Sequence, residues 1–260
     1  MDDAVIYGNG VVGKATAKAF AIPHYFSKHE RNITLAEAAY KRYHFFCLPT
    51  PTINGDCFRD DIIDLIRQLE SIPHNQNVYI IRSTVIPGTS KYIQSQLSIN
   101  AIVSNPEFLT ESTAEEDALH PDIVVIGGDH KQYVDDVVGI YQGHIKTAKI
   151  ITTDSITAEL TKYAINTFYA TKVVFANEMF EICQRIGANY ETVKEAMYNR
   201  KWIGKNHLDI WHKGGRGASG KCLRKDLEAF ENYSKSKLLE TVKKINDELL
   251  SKYPKKEVII

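Results

Sequence analysis

At 260 residues, 43% hydrophobic and 25% charged, the chain has the composition of a soluble globular protein, with room for one large domain or two modest ones. Its 32 basic and 32 acidic side chains balance to zero, which gives no reason to expect a nucleic-acid or anionic-membrane partner. No run approaches the ~20 apolar residues of a membrane span, and Met1-Asp2-Asp3 lacks the basic start of a secretory signal.

Along the chain, Ala4 to Tyr7 reads as a strand that stops at Gly8-Asn9-Gly10-Val11-Val12-Gly13, and Lys14 to Phe20 as the helix that follows. Pro23 breaks that helix, and His24 to Ser27 reads as a second strand. A helix near Leu35 to Arg42, a strand at Phe45 to Leu48, a helix around Asp60 to Leu69, and strands at Val78 to Ile81 and Ile123 to Ile126 continue the alternation. This order predicts an α/β, Rossmann-like, doubly wound parallel sheet. Past Ile151 the pattern becomes helical. Asp154 or Ser155 caps a long helix ending at Ile186 before Gly187, followed by helices near Tyr190 to Tyr198 and Leu223 to Leu250. The expected division is a dinucleotide-binding domain over residues 1–153 and an α-helical domain with a long central helix over 154–260. Cys47, Cys57, Cys183 and Cys222 show no metal-ligand spacing and read as thiols of a reducing cytoplasm.

The glycine turn carries chemistry by its position. Gly8 permits the tight turn, Gly10 lets backbone approach a pyrophosphate, and Gly13 lets helix and strand pack closely. The helix amino terminus, at Val11 and Val12, then offers N–H groups and partial positive charge to phosphate. The acid expected about twenty residues on, for an adenosine ribose, is missing from the second strand, which runs into Ser27-Lys28-His29 before Glu30. Ser27 and Lys28, with Arg31, suit a ribose hydroxyl or a 2′-phosphate, so NAD is expected and NADP stays open.

Six segments, in order, resemble the UDP-glucose/GDP-mannose 6-dehydrogenase family. Beyond the glycine turn these are Cys47-Leu48-Pro49-Thr50-Pro51, Ser83-Thr84-Val85-Ile86-Pro87-Gly88-Thr89, and Asn105-Pro106-Glu107-Phe108-Leu109-x-Glu111 with His120 to Gly127. Ala158-Glu159-Leu160-x-Lys162-Tyr163-x-x-Asn166 is similar to the opening of the family's central helix. Gly215-x-Gly217-x-x-Gly220-x-Cys222-x-x-Lys225-Asp226 is similar to its nucleophile loop. The resemblance implies oxidation of the C6 primary alcohol of a nucleotide sugar to a carboxylate, with two cofactor molecules used in sequence and a homodimer through the long helix. It implies cofactor contacts at Pro49, Thr50 and Thr84, and substrate contacts at Phe108, Leu109, Glu111, Lys162, Asn166, Gly215 and Gly217.

The same residues make chemical sense. Cys222, between a glycine-rich loop and a helical run with Arg224 and Lys225 nearby, has the setting that lowers a thiol's pKa. Asp226 shares its face one turn on, as Asn166 does with Lys162. Leu160, Ala164, Ile165 and Phe168 suggest a largely buried helix on which Lys162 and Asn166 need a polar partner. The implied roles are Cys222 as nucleophile, Lys162 and Asn166 as oxyanion stabilisers, Asp226 as holder of a proton-accepting water, Glu107 as base for hydrolysis, and Thr84 as an orienting group.

Two departures stand out. The family's third, nucleotide-gripping domain is absent from this chain, and Ser219, Lys221 and Arg224 replace the small residues and proline common in the nucleophile loop. Lys213, Arg216 and Lys221, or a separate subunit, would then grip the substrate. Two competing readings follow: a two-electron alcohol or 3-hydroxyacid-type dehydrogenase on a smaller substrate, and a non-catalytic dimerisation subunit.

Overall fold

The computed structural model describes residues 1–73, 76–212, 214–220 and 222–254. The chain forms two compact units, Met1–Pro51 with Cys57–Lys162, and Thr52–Asp56 with Tyr163–Ile260.

The first unit runs β1 (Ala4–Tyr7), α1 (Val11–Phe20), β2 (His24–Phe26), α2 (Leu35–Ala39) and β3 (Tyr43–Phe46). The small strands β4 (Thr52–Ile53) and β5 (Asp56–Cys57) follow. Then come α3 (Asp60–Glu70), β6 (Val78–Ile81), α4 (Thr89–Leu97), β7 (Ile102–Ser104), α5 (Ala114–Leu119), β8 (Ile123–Gly127), α6 (Lys131–His144) and β9 (Lys149–Thr153). Among the described residues, seven strands form one sheet in the order β2-β1-β3-β6-β7-β8-β9. β1, β3 and β6 pair in parallel with Tyr7 opposite Phe46 and Phe46 opposite Ile81, so their carboxyl ends lie level.

Both faces are covered, which is why the central strands are apolar at nearly every position. Ala4, Ile6, Phe45, Val78 and Ile80 point to one side with Phe20, Val137 and Tyr141. Val5, Tyr7, Phe46, Tyr79 and Ile81 point to the other with Ile62, Ile66, Leu69 and Ile93. The chain leaves β1 for β2 on one side and returns to β3 on the other, so the crevice for a ligand lies beyond the carboxyl ends of β1 and β3. The sheet departs from the expected all-parallel pattern at one pairing: β8 meets β7 antiparallel at Ser104 opposite Gly127, and β9 then follows β8 in parallel.

The second unit is helical. α7 (Ser155–Ile186) starts in the first unit, where Asp154 Oδ1 accepts from the Thr157 N–H at 3.0 Å, and ends in the second at Gly187, φ +75°. α8 (Tyr190–Tyr198), α9 (Leu223–Ser234) and α10 (Lys237–Lys252) follow. The single helix expected from Leu223 to Leu250 is two, because Lys235 turns left-handed at φ +53° and Ser236 caps a new helix. Ala170, Val174, Leu227, Leu239 and Val242 form one core, and Ala176, Cys183, Tyr190, Leu208 and Ile210 another. The β4–β5 hairpin, unexpected from sequence, turns through Asn54 and Gly55 with both φ positive (+52° and +82°), the geometry of a two-residue hairpin turn. No described helix is long and apolar enough to cross a membrane.

Candidate active site

The glycine turn sits where β1 gives way to α1. Gly8 has φ +97°, and a Cβ there would lie 2.5 Å from the Cys47 carbonyl oxygen, so only glycine fits between β1 and β3. A Cβ on Gly13 would lie 1.8 Å from the Gly8 carbonyl oxygen. Gly10 differs: a Cβ there would meet nothing within 4 Å, and Gly10 caps α1 with no side-chain bond. The first N–H groups of α1, at Val11, Val12 and Gly13, lack helical acceptors and open on that space. Close packing behind and open space in front are what a dinucleotide pyrophosphate requires. The residues present fit such a cofactor.

An acid, Glu30, stands just beyond the second strand. Glu30 Oε1 accepts from Asn9 Nδ2 at 2.5 Å, fastening a carboxylate to the glycine turn. Ser27 serves that turn internally, since its Oγ donates to the Glu30 carbonyl (2.7 Å) and accepts from the Glu30 N–H (3.1 Å). Lys28 pairs with Asp61 at 3.0 Å and Arg31 lies over the Phe26 ring. The basic groups that suggested a 2′-phosphate thus have other partners. The sequence signal for Glu30 was present, an acid 17 residues after Gly13, but it sits past the strand end and in the hairpin that bridges Phe26 to Arg31.

The loops after β3 and β6 are tied together. Thr50 is buried and donates its hydroxyl to the Thr84 carbonyl at 2.7 Å, beside exposed Pro49, and Ser83 Oγ donates to the Leu48 carbonyl at 2.8 Å. Glu159, on α7, caps α4: its carboxylate accepts the Gly88 and Ser90 N–H groups at 2.6 and 2.8 Å. Burial raises the Glu159 pKa above the usual carboxylate value, with those hydrogen bonds opposing.

One turn further along α7, Lys162 Nζ stands 3.1 Å from Glu107 Oε1, with the two side chains 6% and 10% exposed. Glu107 Oε2 accepts the Leu109 N–H at 2.6 Å, and the ammonium lies 5.6 Å from the Phe108 ring centroid. Four predicted residues therefore meet in one nearly dry cluster, while Glu111 is exposed.

In the second unit, Asn166 Nδ2 donates to Asp226 Oδ2 at 2.6 Å, and Lys225 Nζ meets Asp226 Oδ1 at 2.6 Å. Asp226, 1% exposed, follows Cys222 by one turn, its N–H bonded to the Cys222 carbonyl at 2.9 Å. Cys222 is the N-cap of α9 and is exposed, whereas Cys47, Cys57 and Cys183 are buried. Burial pushes the Cys47 thiol up to about 11, so it is inert as a nucleophile. Gly215 and Gly217 are buried. Gly215 exchanges backbone hydrogen bonds with His212, and Gly217, φ +93°, lies against Asn246 and Leu249 of α10. Arg216 is no surface grip: it is 2% exposed, bonds Asn177 (2.8 Å) and Glu181 (2.7 Å), and lies under the rings of Phe180 and Tyr253. Lys213 and Lys221 fall outside the described residues.

The flanks of Lys162 reverse the sequence expectation. Leu160 and Phe168 are 41% and 61% exposed, and Phe175 and Ile186 are exposed as well. The buried face of early α7 carries Glu159, Lys162 and Asn166 instead. Early α7 thus buries charged and amide side chains beside Ala158 and Tyr163 and leaves Leu160 and Phe168 exposed.

Residues 27–145 match the NAD binding domain of the UDP-glucose/GDP-mannose dehydrogenase family, and residues 156–248 match its central domain. The UDP-glucose 6-dehydrogenase of Rickettsia felis is 34% identical over 213 residues, 78% of this chain and 47% of the relative. The chain spans about half the length of the curated relatives it matches. A UDP-glucose dehydrogenase structure from Pyrobaculum islandicum superposes with TM-score 0.83 at 24% identity, covering 94% of this chain and 68% of that one. A Mycobacterium tuberculosis 3-hydroxyisobutyrate dehydrogenase has the same fold, with TM-score 0.72 at 13% identity over 97% of this chain and 95% of that one. With the ordered motifs and both domain matches in hand, the chain belongs to the UDP-glucose/GDP-mannose dehydrogenase family.

Proposed function

We propose that the protein is an NAD-dependent dehydrogenase that oxidises C6 of a nucleotide sugar, UDP-glucose foremost, to the carboxylate, working in a reducing cytoplasm. The observation that carries this reading is the placement of Cys222, the exposed cysteine, one turn before a buried Asp226 held by Asn166 and Lys225. A nucleophile, its neighbouring acid and the amide that fixes that acid come from segments 60 residues apart, and packing alone does not call for this polar set.

The glycine turn, Pro49, Thr50 and Thr84 would hold the cofactor, with Glu30 at the adenosine ribose. A carboxylate there favours NAD over NADP because it accepts from a 2′-hydroxyl and repels a 2′-phosphate. Bound NAD supplies the hydride acceptor for each of two oxidations. The C6 hydroxyl gives its proton to a water held by Asp226 and Lys162 as hydride leaves carbon. Lys162 and Asn166 stabilise the oxyanion, since a buried ammonium and amide act there without water's screening. The Cys222 sulfur would add to the aldehyde carbon to form a thiohemiacetal, which would become a thioester by giving hydride to the second NAD and its hydroxyl proton to water. Water activated by Glu107 cleaves the carbon–sulfur bond, releasing the carboxylate and the thiol. Phe108, Leu109 and Glu111 line the substrate loop. A second copy of the chain would cover the apolar stripe of α7 at Leu160, Phe168 and Phe175.

Purified protein with UDP-glucose and NAD is expected to form two NADH per sugar, and Cys222→Ser to lose acid formation. Absence of acid from wild type that binds NAD would overturn the reading. A two-electron oxidation of a small hydroxy acid would yield one NADH and persist in Cys222→Ser.

A further inference from the structure

We infer that the buried guanidinium of Arg82 charges the floor of the cofactor crevice, so that the site binds NADH more tightly than NAD. The inference rests on the cofactor reading above and involves residues of the first unit alone. Arg82 is 5% exposed, and an arginine is seldom buried without a pairing anion. Among the described residues no carboxylate forms an ion pair with it.

Its partners are neutral. Arg82 Nη1 donates to the Asn105 side-chain oxygen and to the Tyr141 hydroxyl oxygen, both at 2.6 Å, and Tyr141 donates in turn to Asn105 at 2.7 Å. Asn105 Nδ2 gives its bond to the Val125 carbonyl at 2.8 Å, and Arg82 Nε is buried with no partner. Glu107, the acid in the loop that Asn105 opens, is taken by Lys162 at 3.1 Å, so those two charges offset each other. The Arg82 charge is left over.

β6 sets that charge under the crevice. Tyr7, Phe46 and Ile81 lie level across β1, β3 and β6, so Gly8, Cys47 and Arg82 form the next layer at the carboxyl ends. The Arg82 N–H donates to the Phe46 carbonyl at 2.9 Å, and Gly8 packs on the Cys47 carbonyl. The charge is felt within this layer: burial pushes the Cys47 thiol up, and Arg82 opposes it. The nicotinamide ring of NAD is a cation and that of NADH is neutral. A fixed positive charge beneath the crevice therefore disfavours the oxidised form, and the repulsion ends when hydride from the substrate reaches the ring. At an effective dielectric constant of about 20, a unit charge felt across about 12 Å changes the ratio of two affinities by about tenfold. By the reciprocity of linked equilibria, a site that prefers NADH makes bound NAD the stronger hydride acceptor.

The test is the ratio of the NAD and NADH dissociation constants, measured by titration calorimetry in wild type, Arg82→Lys, Arg82→Gln and Tyr141→Phe. Wild type is expected to bind NADH about tenfold more tightly than NAD, and Arg82→Lys to keep that ratio. Arg82→Gln should lower the ratio by about tenfold. Tyr141→Phe breaks the same hydrogen-bond network and spares the charge, so its melting temperature should fall while the ratio holds. Parallel loss of both affinities in Arg82→Gln, or an equal fall of the ratio in Tyr141→Phe, would trace the effect to packing and overturn the inference. Equal affinities in wild type overturn it as well, and that result needs no variant to fold. Failure of wild type to bind either form would instead remove the cofactor reading, and the role of Arg82 with it.

Discussion

Replacing Lys162 by methionine keeps the length of the side chain and deletes its charge. At 3.1 Å, and with an effective dielectric constant of about 20, the ion pair's gross attraction is about 5 kcal/mol. The variant leaves Glu107 nearly dry beside the Leu109 N–H. Breaking a buried pair costs about 3–5 kcal/mol, and the surviving hydrogen bond places this case at the lower end. For a chain of this size each kcal/mol is worth about 2–4 °C, so the melting temperature should fall by about 6–12 °C. Adding Glu107→Gln to the same variant removes the stranded charge and should recover most of the loss, because a paired deletion can be nearly neutral. Calorimetry at neutral pH on the two single variants and the double closes the cycle. A Lys162→Met protein melting within about 2 °C of wild type, or no recovery in the double, would refute the view that these are two buried charges holding each other. Activity is expected to be lost in all three.

Gly10→Ala should leave the melting temperature unchanged but weaken NAD binding, since its Cβ projects into open space in front of α1; Gly13→Ala should cost both, because its Cβ meets backbone at 1.8 Å. Glu30→Ser is expected to raise the NADP/NAD ratio of kcat/KM by about tenfold, the scale of one lost charge interaction, and an unchanged ratio would remove Glu30 from the ribose. Glu159 has its folded pKa raised above the unfolded value, so its contribution is present at acid pH and is lost as pH rises through the folded pKa. The melting temperature of Glu159→Gln relative to wild type should therefore climb as pH rises from about 4.5 toward neutrality. Light scattering on Phe168→Glu should give a monomer where wild type gives a dimer, and a monomeric wild type would refute the helix interface.

How much was legible follows from what kind of signal each feature uses. β1, α1, β6 and α7 announce themselves through local order: continuous apolar runs, a glycine turn, an aspartate before and a glycine after the long helix. The ordered motifs likewise single out Glu107 and Lys162, and Asn166 and Asp226. The bond that ties Glu30 to Asn9 is one that no spacing encodes. The hairpin at Asn54 and Gly55 carried a strong turn signal, but strands of two residues show no periodicity to attach it to. Arg216 looked like a surface cation because sequence does not reveal the aromatic rings that enclose it.

The long helix shows where an amphipathic pattern misleads. Glu159, Lys162 and Asn166 are three and four residues apart and so share one face, and each fastens a different piece of chain. Glu159 takes the amino terminus of α4, Lys162 takes Glu107 in the loop after β7, and Asn166 takes Asp226 in α9. A charge or amide is buried on that face only because each meets a partner of opposite sign or complementary bonding. An amphipathic reading assigns Leu160 and Phe168 to the core, yet they are left exposed while Ala158, Tyr163, Ala170 and Val174 are buried. Directional bonds of this kind hold a side chain to within about 0.5 Å, whereas apolar packing leaves its head group undirected. Leu160, Phe168 and Phe175 stand exposed on α7, where the proposed second copy of the helix would bury them.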